Sequence, residues 1–103
     1  MTQNEINIAV ESNLESALNE FNDYHSTPKQ LRHCSAVVYE TENYYILRSY
    51  ATIIAVIDKT TDTLYDALRL VYGYTATSAQ HISKFNHDYC KGKWHCAQVY
   101  TGR

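Results

Sequence analysis

Six of the eight histidine and cysteine side chains stand near another such residue in sequence and belong to types that bind metal ions or act as nucleophiles: His33, Cys34, His87, Cys90, His95 and Cys96. Zinc usually takes four such ligands from paired short spacings such as C-x2-C, and no spacing of that kind occurs here. Because free cysteine is often a small buried hydrophobe and histidine is common on polar surfaces, we interpret the set as structural. The sequence therefore predicts no metal ion and no cofactor, with a zinc-stabilised module as the alternative.

The same side chains offer no recognisable catalytic pair. A cysteine nucleophile needs a neighbouring base, which His33 could offer to Cys34 and His95 to Cys96. Adjacent residues, however, point in different directions in a helix or a strand. The chain also lacks G-x-S-x-G, a P-loop and H-E-x-x-H. We predict that the protein is not an enzyme.

Tyrosine is the most unusual feature of the composition, with ten residues in a chain of 103. A tyrosine ring is rigid and apolar but carries a hydroxyl group, which suits half-buried interfaces. The alternative is that these rings only cover the sheet. We select Tyr44, Tyr72 and Tyr74 as partner-binding residues.

The charge is unevenly distributed along the chain. Residues 1–28 hold five acidic residues and no Lys or Arg, although the net charge of the whole chain is only −2. We interpret these five acids as a solvated helix face. A general nucleic-acid binder needs a concentrated cationic face, which this distribution does not suggest. Glu11 and Glu15 lie one turn apart on the solvated side of a predicted helix, where they could present negative charge to a basic groove of a partner.

Basic and aromatic residues near the second predicted helix leave an alternative function open. Lys84, Lys91 and Lys93 could contact phosphates there, and Trp94 could stack on a base. These four residues join the predicted partner surface. They also support the alternative prediction of a small nucleic-acid-binding regulatory protein.

The elements that must position these residues follow from the spacing of apolar side chains. An apolar stripe with spacings of three and four predicts a helix over about residues 4–24: Ile6, Val10, Leu14, Ala17, Leu18 and Phe21. Residues 25–33 contain the only proline, Pro28, and we interpret them as a linker.

From residue 35 onward the pattern changes to β-branched and aromatic residues. Residues 36–39, 44–50 and 52–57 predict strands, and the unbroken apolar run 53–57 predicts a strand covered on both faces. Residues 64–74 fit either a helix or a strand pair, and we favour the strand pair. Thr77 and Gln80 have the spacing of a capping box, which predicts a helix over about 78–90.

A final strand or packed tail is predicted over 93–103. Together these patterns predict one α+β domain over residues 1–103. Its antiparallel sheet has four to five strands over about 35–74, and the N-terminal helix and a second helix pack on it.

Nothing in the sequence predicts a membrane protein. The longest apolar stretch, residues 53–57 inside 51–57, is far shorter than the ~20 residues that a membrane-spanning helix needs. The N-terminus lacks the basic start and apolar run of a secretion signal, and three cysteines suit a reducing compartment. We expect a cytoplasmic protein, either a monomer or a homodimer.

Three sequence words carry a resemblance to a known group of proteins: LRSY at 47–50, TIIAV at 52–56 and YTATSAQHISKF at 74–85. Residues 45–85 resemble small proteins of bacteriophages and other mobile elements that have no assigned biochemical role. The resemblance implies a compact sheet with one helix across it and no catalytic residues.

Small accessory proteins of phages often antagonise host defence. The resemblance therefore implies an anti-CRISPR-type inhibitor that binds and blocks a host protein or ribonucleoprotein defence complex in the bacterial cytosol.

Overall fold

A six-stranded mixed sheet forms the centre of the computed structural model, which describes residues 1–90 and 96–103. Its strands are β1 (Lys29–Gln30), β2 (Ala36–Glu40), β3 (Tyr44–Ser49), β4 (Thr52–Asp58), β5 (Thr63–Asp66) and β6 (Gln98–Thr101). They lie in chain order across the sheet, antiparallel as far as β5, and β6 pairs with β5 in parallel. The prediction of an α+β fold with an N-terminal helix is confirmed, whereas the sheet has more strands than predicted and is not purely antiparallel.

Three helices accompany the sheet: α1 (Gln3–Asp23), α2 (Leu68–Val71) and α3 (Ala76–Tyr89). Helix α1 begins where the Thr2 side chain accepts a hydrogen bond from the Glu5 backbone N–H, and it ends at Tyr24, which is extended. No helix among the described residues has the length and apolar character that crossing a bilayer requires.

The two main helices cover opposite faces of the sheet. One hydrophobic cluster, on the α1 face, contains Ala17 of α1 together with Ile46 of β3. The other contains Phe85 of α3 together with Leu47 of β3. Since successive strand residues point to opposite faces, Ile46 and Leu47 enter different clusters. Strand β4 is consequently buried on both faces, which explains its continuous apolar sequence.

An irregularity in β4 interrupts the alternation of its side chains between the two hydrophobic clusters. Leu47 pairs with Ala55, but the next residue, Arg48, pairs with Ile53, so Ile54 is an additional residue in β4. Ile54 and Ala55 therefore both join the cluster on the α3 face.

Residues 64–74 do not form the predicted strand pair. Only Thr63–Asp66 is a strand, and Leu68–Val71 is a helical turn. The change of direction follows from Asp66, whose Oδ1 accepts a hydrogen bond of 3.0 Å from the backbone N–H of Leu68. Burial of Leu68 in the core then favours the helical turn over a continued strand.

Three other predicted boundaries differ from the structure. The linker 25–33 contains β1, which pairs with β2. The N-cap of α3 is Thr75, whose hydroxyl accepts from the Ser78 N–H at 3.2 Å, so the helix begins at Ala76 and Thr77 does not cap it. The predicted C-terminal strand or tail is a strand at Gln98–Thr101, and residues 91–95 lie outside the described part of the chain.

Candidate binding surface

Four large apolar side chains are exposed around the beginning of α3, and we call them the aromatic end. They are Tyr50, Val71, Tyr72 and Tyr74, with exposed fractions of 56%, 42%, 54% and 56%. Helix α2 stops just before Gly73, which has a φ of 89° in the left-handed region that favours glycine. This turn leaves the flanking Tyr72 and Tyr74 at the surface.

Tyr50 reaches the same end through a tight turn. It lies between the last residue of β3 and the first residue of β4, and its φ is 55°. A bulky residue rarely adopts this left-handed conformation, which costs ~1–2 kcal/mol. The backbone N–H of Tyr50 donates to the Ser35 carbonyl at 3.0 Å, which helps to hold the turn.

A buried polar cluster connects this turn to α3. Ser49 Oγ lies 2.8 Å from His81 Nδ1 and 3.1 Å from Ser78 Oγ. All three residues are at most 3% exposed. The Tyr50 ring lies above this cluster, with its centroid 6.0 Å from that of the His81 ring. The cluster therefore places the β3–β4 turn beside the first turns of α3.

The hydrogen bond between Ser49 and His81 has the distance expected of a nucleophile and its base, but the arrangement does not suit catalysis. Ser49 is only 1% exposed, so its hydroxyl cannot meet a substrate. Burial, with a smaller contribution from the charge of Lys84, lowers the pKa of His81. A neutral imidazole bonded to a hydroxyl group satisfies buried polar atoms, and we interpret the cluster as a structural connection.

Acidic side chains concentrate at the opposite end of the strands. Asp23, Glu40 and Glu42 line open grooves there, together with Tyr24. Strand β3 separates this end from the aromatic end by ~20 Å, since each strand residue advances the chain ~3.3 Å. The two ends of the sheet therefore present different chemistry.

Glu20 is not part of the solvated face on which the sequence placed the five N-terminal acids. Its carboxylate accepts hydrogen bonds of 2.8 Å from the Thr41 hydroxyl, 2.9 Å from the Asn43 backbone N–H and 2.9 Å from the Asn43 side chain. Burial alone would raise the pKa of Glu20, but these hydrogen bonds outweigh it, and the pKa is lowered. Glu20 thus fastens the end of α1 to the turn between β2 and β3.

The other predicted partner-binding residues divide between several places. Glu11 and Glu15 are exposed on α1, on the other face of the sheet from α3. Tyr44 is only 7% exposed, and its hydroxyl donates to Asn13 Oδ1 at 3.0 Å, so it belongs to the core. Lys84 is half-buried on α3. The predictions for Lys91, Lys93 and Trp94 lie outside the described residues.

Of the predicted residues, the structure brings Tyr72 and Tyr74 together, and it adds Tyr50 and Val71. Sequence reasoning placed Tyr50 at the end of a strand and missed its exposure. The signal was available in the short spacing between two strand patterns, because a two-residue turn leaves its side chains outside the sheet.

The histidines and cysteines that the structure describes do not converge. Within residues 1–90 and 96–103, no group of three or more His, Cys, Asp or Glu side chains could hold a metal ion. The Cys34 thiol donates to the Leu31 carbonyl, and Cys90 and Cys96 lie in the α3-face core. Burial raises the pKa of Cys96 to about 12, which makes its thiol a poor nucleophile.

A polar groove on the outer side of α3 is lined by Arg32, Ser83, Lys84 and His87. Its arginine is already engaged, because Arg32 donates to both carboxylate oxygens of Asp88, at 2.7 and 2.9 Å. These hydrogen bonds lower the pKa of Asp88 to about 2. The carboxylate therefore offsets part of the positive charge of this groove.

Comparison with known proteins gives no relative: the chain matches no family model, no curated protein and no solved structure.

Proposed function

We propose that this chain is a non-enzymatic binding protein whose aromatic end docks on a partner protein. The observation that carries the proposal is the group of four large side chains, 42–56% exposed, at one end of the sheet. Exposed large apolar side chains at one end of a domain suit an interaction site, and tyrosine is enriched among the residues that dominate binding energy. One of the four, Tyr50, is held in a strained backbone conformation.

The strain at Tyr50 supports a binding role. A glycine would occupy this turn without the ~1–2 kcal/mol penalty, so the fold does not require a tyrosine there. Strained residues are concentrated at sites of function. The turn therefore does not need a tyrosine side chain, and the exposure of the Tyr50 ring points to a partner.

The resemblance to phage accessory proteins suggests which partner to test first. It favours a host protein or ribonucleoprotein defence complex in the bacterial cytosol, which the bound protein would block as an anti-CRISPR-type inhibitor does. A binding protein of this kind acts by occupying a surface, and it needs no catalytic group of its own.

A second candidate function is nucleic-acid binding, which the groove of Arg32, Lys84 and His87 favours. Binding there would depend on phosphate contacts and would weaken steeply as salt is added. A gel-shift titration with DNA and RNA at low salt tests it, and no shift in either titration removes this candidate.

The double variant Tyr72→Ser/Tyr74→Ser tests the proposed surface. Both side chains are exposed, so the fold is retained, while binding to a partner captured from host lysate weakens at least about tenfold. Affinity is measured with the purified partner, and thermal melts confirm folding.

Tyr24→Ser is the matched control, because Tyr24 is 72% exposed at the acidic end. It should bind like the wild type. Equal affinities for the wild type and the double variant would contradict the proposal. Glu11→Gln/Glu15→Gln tests, in the same assay, whether the exposed acids of α1 contribute.

Tyr50→Gly is a third test variant, and it is not expected to disturb folding. Glycine relieves the left-handed strain but loses the ring contact with His81 and gains entropy in the unfolded chain, so this variant should be about as stable as the wild type. Loss of affinity in a protein of unchanged stability would then result from the missing ring alone.

A further inference from the structure

Arg69 occupies an unusual position within the aromatic end. Its guanidinium carbon lies 4.5 Å from the centroid of the Tyr74 ring, and the residue is exposed. Stacking on a ring restrains the planar guanidinium but leaves its N–H groups in the plane free to donate. Within the described part of the chain, no hydrogen bond from the Arg69 side chain is found.

Asp66 is the carboxylate whose charge reaches Arg69, yet it does not bind the guanidinium. Its Oδ1 accepts from the backbone N–H of Leu68, which fixes the beginning of α2. Burial raises the pKa of Asp66, and the charge of Arg69 acts in the opposite direction as a smaller effect. The guanidinium is therefore oriented by Tyr74 and still lacks a hydrogen-bonded carboxylate.

Apart from Asp66, the surrounding segments carry no carboxylate that would repel one from a partner. Residues 44–57, which form the β3–β4 hairpin, and residues 67–87, which include α2 and most of α3, contain no Asp or Glu. They contain Arg48, Arg69 and Lys84. Acidic residues lie instead around the turns at the far end of the strands, including Glu40, Glu42 and Asp58. An acidic surface therefore meets less negative charge at the aromatic end than at the far end, where Lys59 pairs with Glu40 at 2.7 Å while Glu42 and Asp58 add further negative charge.

We infer that Arg69 binds a carboxylate of the partner protein, so that the aromatic end recognises an acidic segment in which an Asp or Glu stands next to an apolar or aromatic residue. A planar guanidinium can hold a carboxylate through two parallel hydrogen bonds, which adds direction as well as affinity. The exposed tyrosines and Val71 then receive the neighbouring apolar side chain. This inference rests on the proposed function and specifies the chemistry of its partner.

A protein segment fits these observations better than single-stranded nucleic acid does. Nucleic-acid sites combine stacking rings with a track of cations along the backbone. Of the three cations in residues 44–57 and 67–87, Arg69 alone is exposed, since Arg48 stacks over the Tyr39 ring and Lys84 is half-buried. Val71 offers no ring face for stacking.

The test selects binders from a displayed library of random peptides of about 12 residues, a length that spans a surface of this kind. The selected peptides should be enriched in Asp or Glu beside an aromatic or aliphatic residue. Fluorescence anisotropy with the synthetic peptides should show affinity at least about tenfold weaker for Arg69→Gln. Arg69→Lys should also bind at least about threefold more weakly, because lysine keeps the charge but cannot donate two parallel hydrogen bonds to a carboxylate.

Lys29→Gln is the matched control, since it removes one exposed positive charge in β1, across the sheet from α2. Its affinity should equal that of the wild type. The inference is overturned by a selection that yields no binder, by selected peptides without carboxylates, by equal affinity of Arg69→Gln, or by tighter binding of oligothymidylate than of the peptides.

The same experiment separates this inference from the proposed function. If Tyr72→Ser/Tyr74→Ser loses affinity while Arg69→Gln does not, the carboxylate contact is wrong and the aromatic end still binds. If neither variant loses affinity, both proposals are wrong.

Discussion

His81 and Ser49 show how two buried side chains determine what a neighbouring residue presents to solvent. Their hydrogen bond of 2.8 Å fixes the end of β3 against α3, and the exposed Tyr50 follows directly in the chain. Ser78 completes the cluster from the first turn of the helix. The position of the Tyr50 ring thus depends on polar groups that no partner can reach.

The lowered pKa of His81 predicts a pH dependence of stability. A folded protein that binds this proton less readily than the unfolded chain is fully stabilised above the ordinary pKa of 6.5, and it loses stability as the pH falls below that value. His81→Asn should be ~1–2 kcal/mol less stable than the wild type near neutral pH, because the buried hydrogen bond is disturbed. Its stability should also fall less between about pH 7.5 and about pH 5.

Urea unfolding at both pH values measures this difference. His33→Asn is the control, since His33 is exposed, and its stability should follow the wild type at both values. A decline in His81→Asn as large as that of the wild type would show that another group titrates.

Individual residues were the least predictable level from sequence. Ten tyrosines drew attention to the surface, but only the fold separates Tyr44, which is 7% exposed, from Tyr72, which is 54% exposed. The cap of α3 was misplaced because Thr75 and Thr77 both precede suitable residues, and the backbone of residue 75 decides between them. Two threonines two residues apart are equally plausible N-caps by sequence, so the sequence alone does not decide between them.

Among the elements, α1 depends on a contact that its own sequence pattern does not reveal. The apolar stripe predicted the helix, because spacings of three and four are local information. Glu20 was grouped with the solvated acids, although it accepts three hydrogen bonds from the β2–β3 turn. The bonded residues are 21–23 positions apart in the sequence. Their contact depends on how the two elements pack, so it produces no periodic pattern in the sequence of α1.

Removing this contact should destabilise the fold measurably. Glu20→Ala leaves the Thr41 and Asn43 donors without their carboxylate, and we expect a loss of ~1–2 kcal/mol in the free energy of unfolding. Glu15→Ala changes an exposed glutamate on the same helix, so it should alter stability by less than ~0.5 kcal/mol. Chemical denaturation of both variants checks the comparison, and equal losses would argue against the proposed role of Glu20.

The central strands were predictable because their β-branched residues are continuous. The chain beyond β5 was not, since residues 64–74 fit two periodicities and the Asp66 turn decides between them. The parallel pairing of β6 depends on the path through α2 and α3, which brings residues 63–66 beside residues 98–101. Sequence patterns predict whether a segment is a helix or a strand better than they predict which strand it pairs with.

In the molecule as a whole, neither outer strand of the sheet is well suited to pair with a strand of another chain. Strand β1 has only two residues, Lys29–Gln30. Beside β6, α1 supplies side-chain partners: Gln3 donates to the Thr101 carbonyl at 3.1 Å, while Asn7 exchanges hydrogen bonds with the Arg103 backbone. The shortness of β1 and the contacts of α1 at and beyond the end of β6 discourage strand addition, so side-chain surfaces remain for binding.

Asn7→Ala should loosen this end of the sheet selectively. The variant loses the 2.8 and 2.9 Å hydrogen bonds to Arg103, so hydrogen exchange of the backbone amides at 99–102 should become about tenfold faster, while exchange in β3 and β4 stays unchanged. Asn19→Ala, at an exposed position of α1, makes the same chemical change without this contact. Equal exchange in the two variants would remove the proposed role of Asn7.

The contacts of Gln3 and Asn7 with residues 101 and 103 join positions 96–98 apart in sequence. During synthesis, the first turns of α1 leave the ribosome long before their partners are translated, and the free side of β5 stays open in the nascent chain. Premature stop codons before residue 98 would therefore yield products with an unpaired strand, which chaperones and proteases recognise.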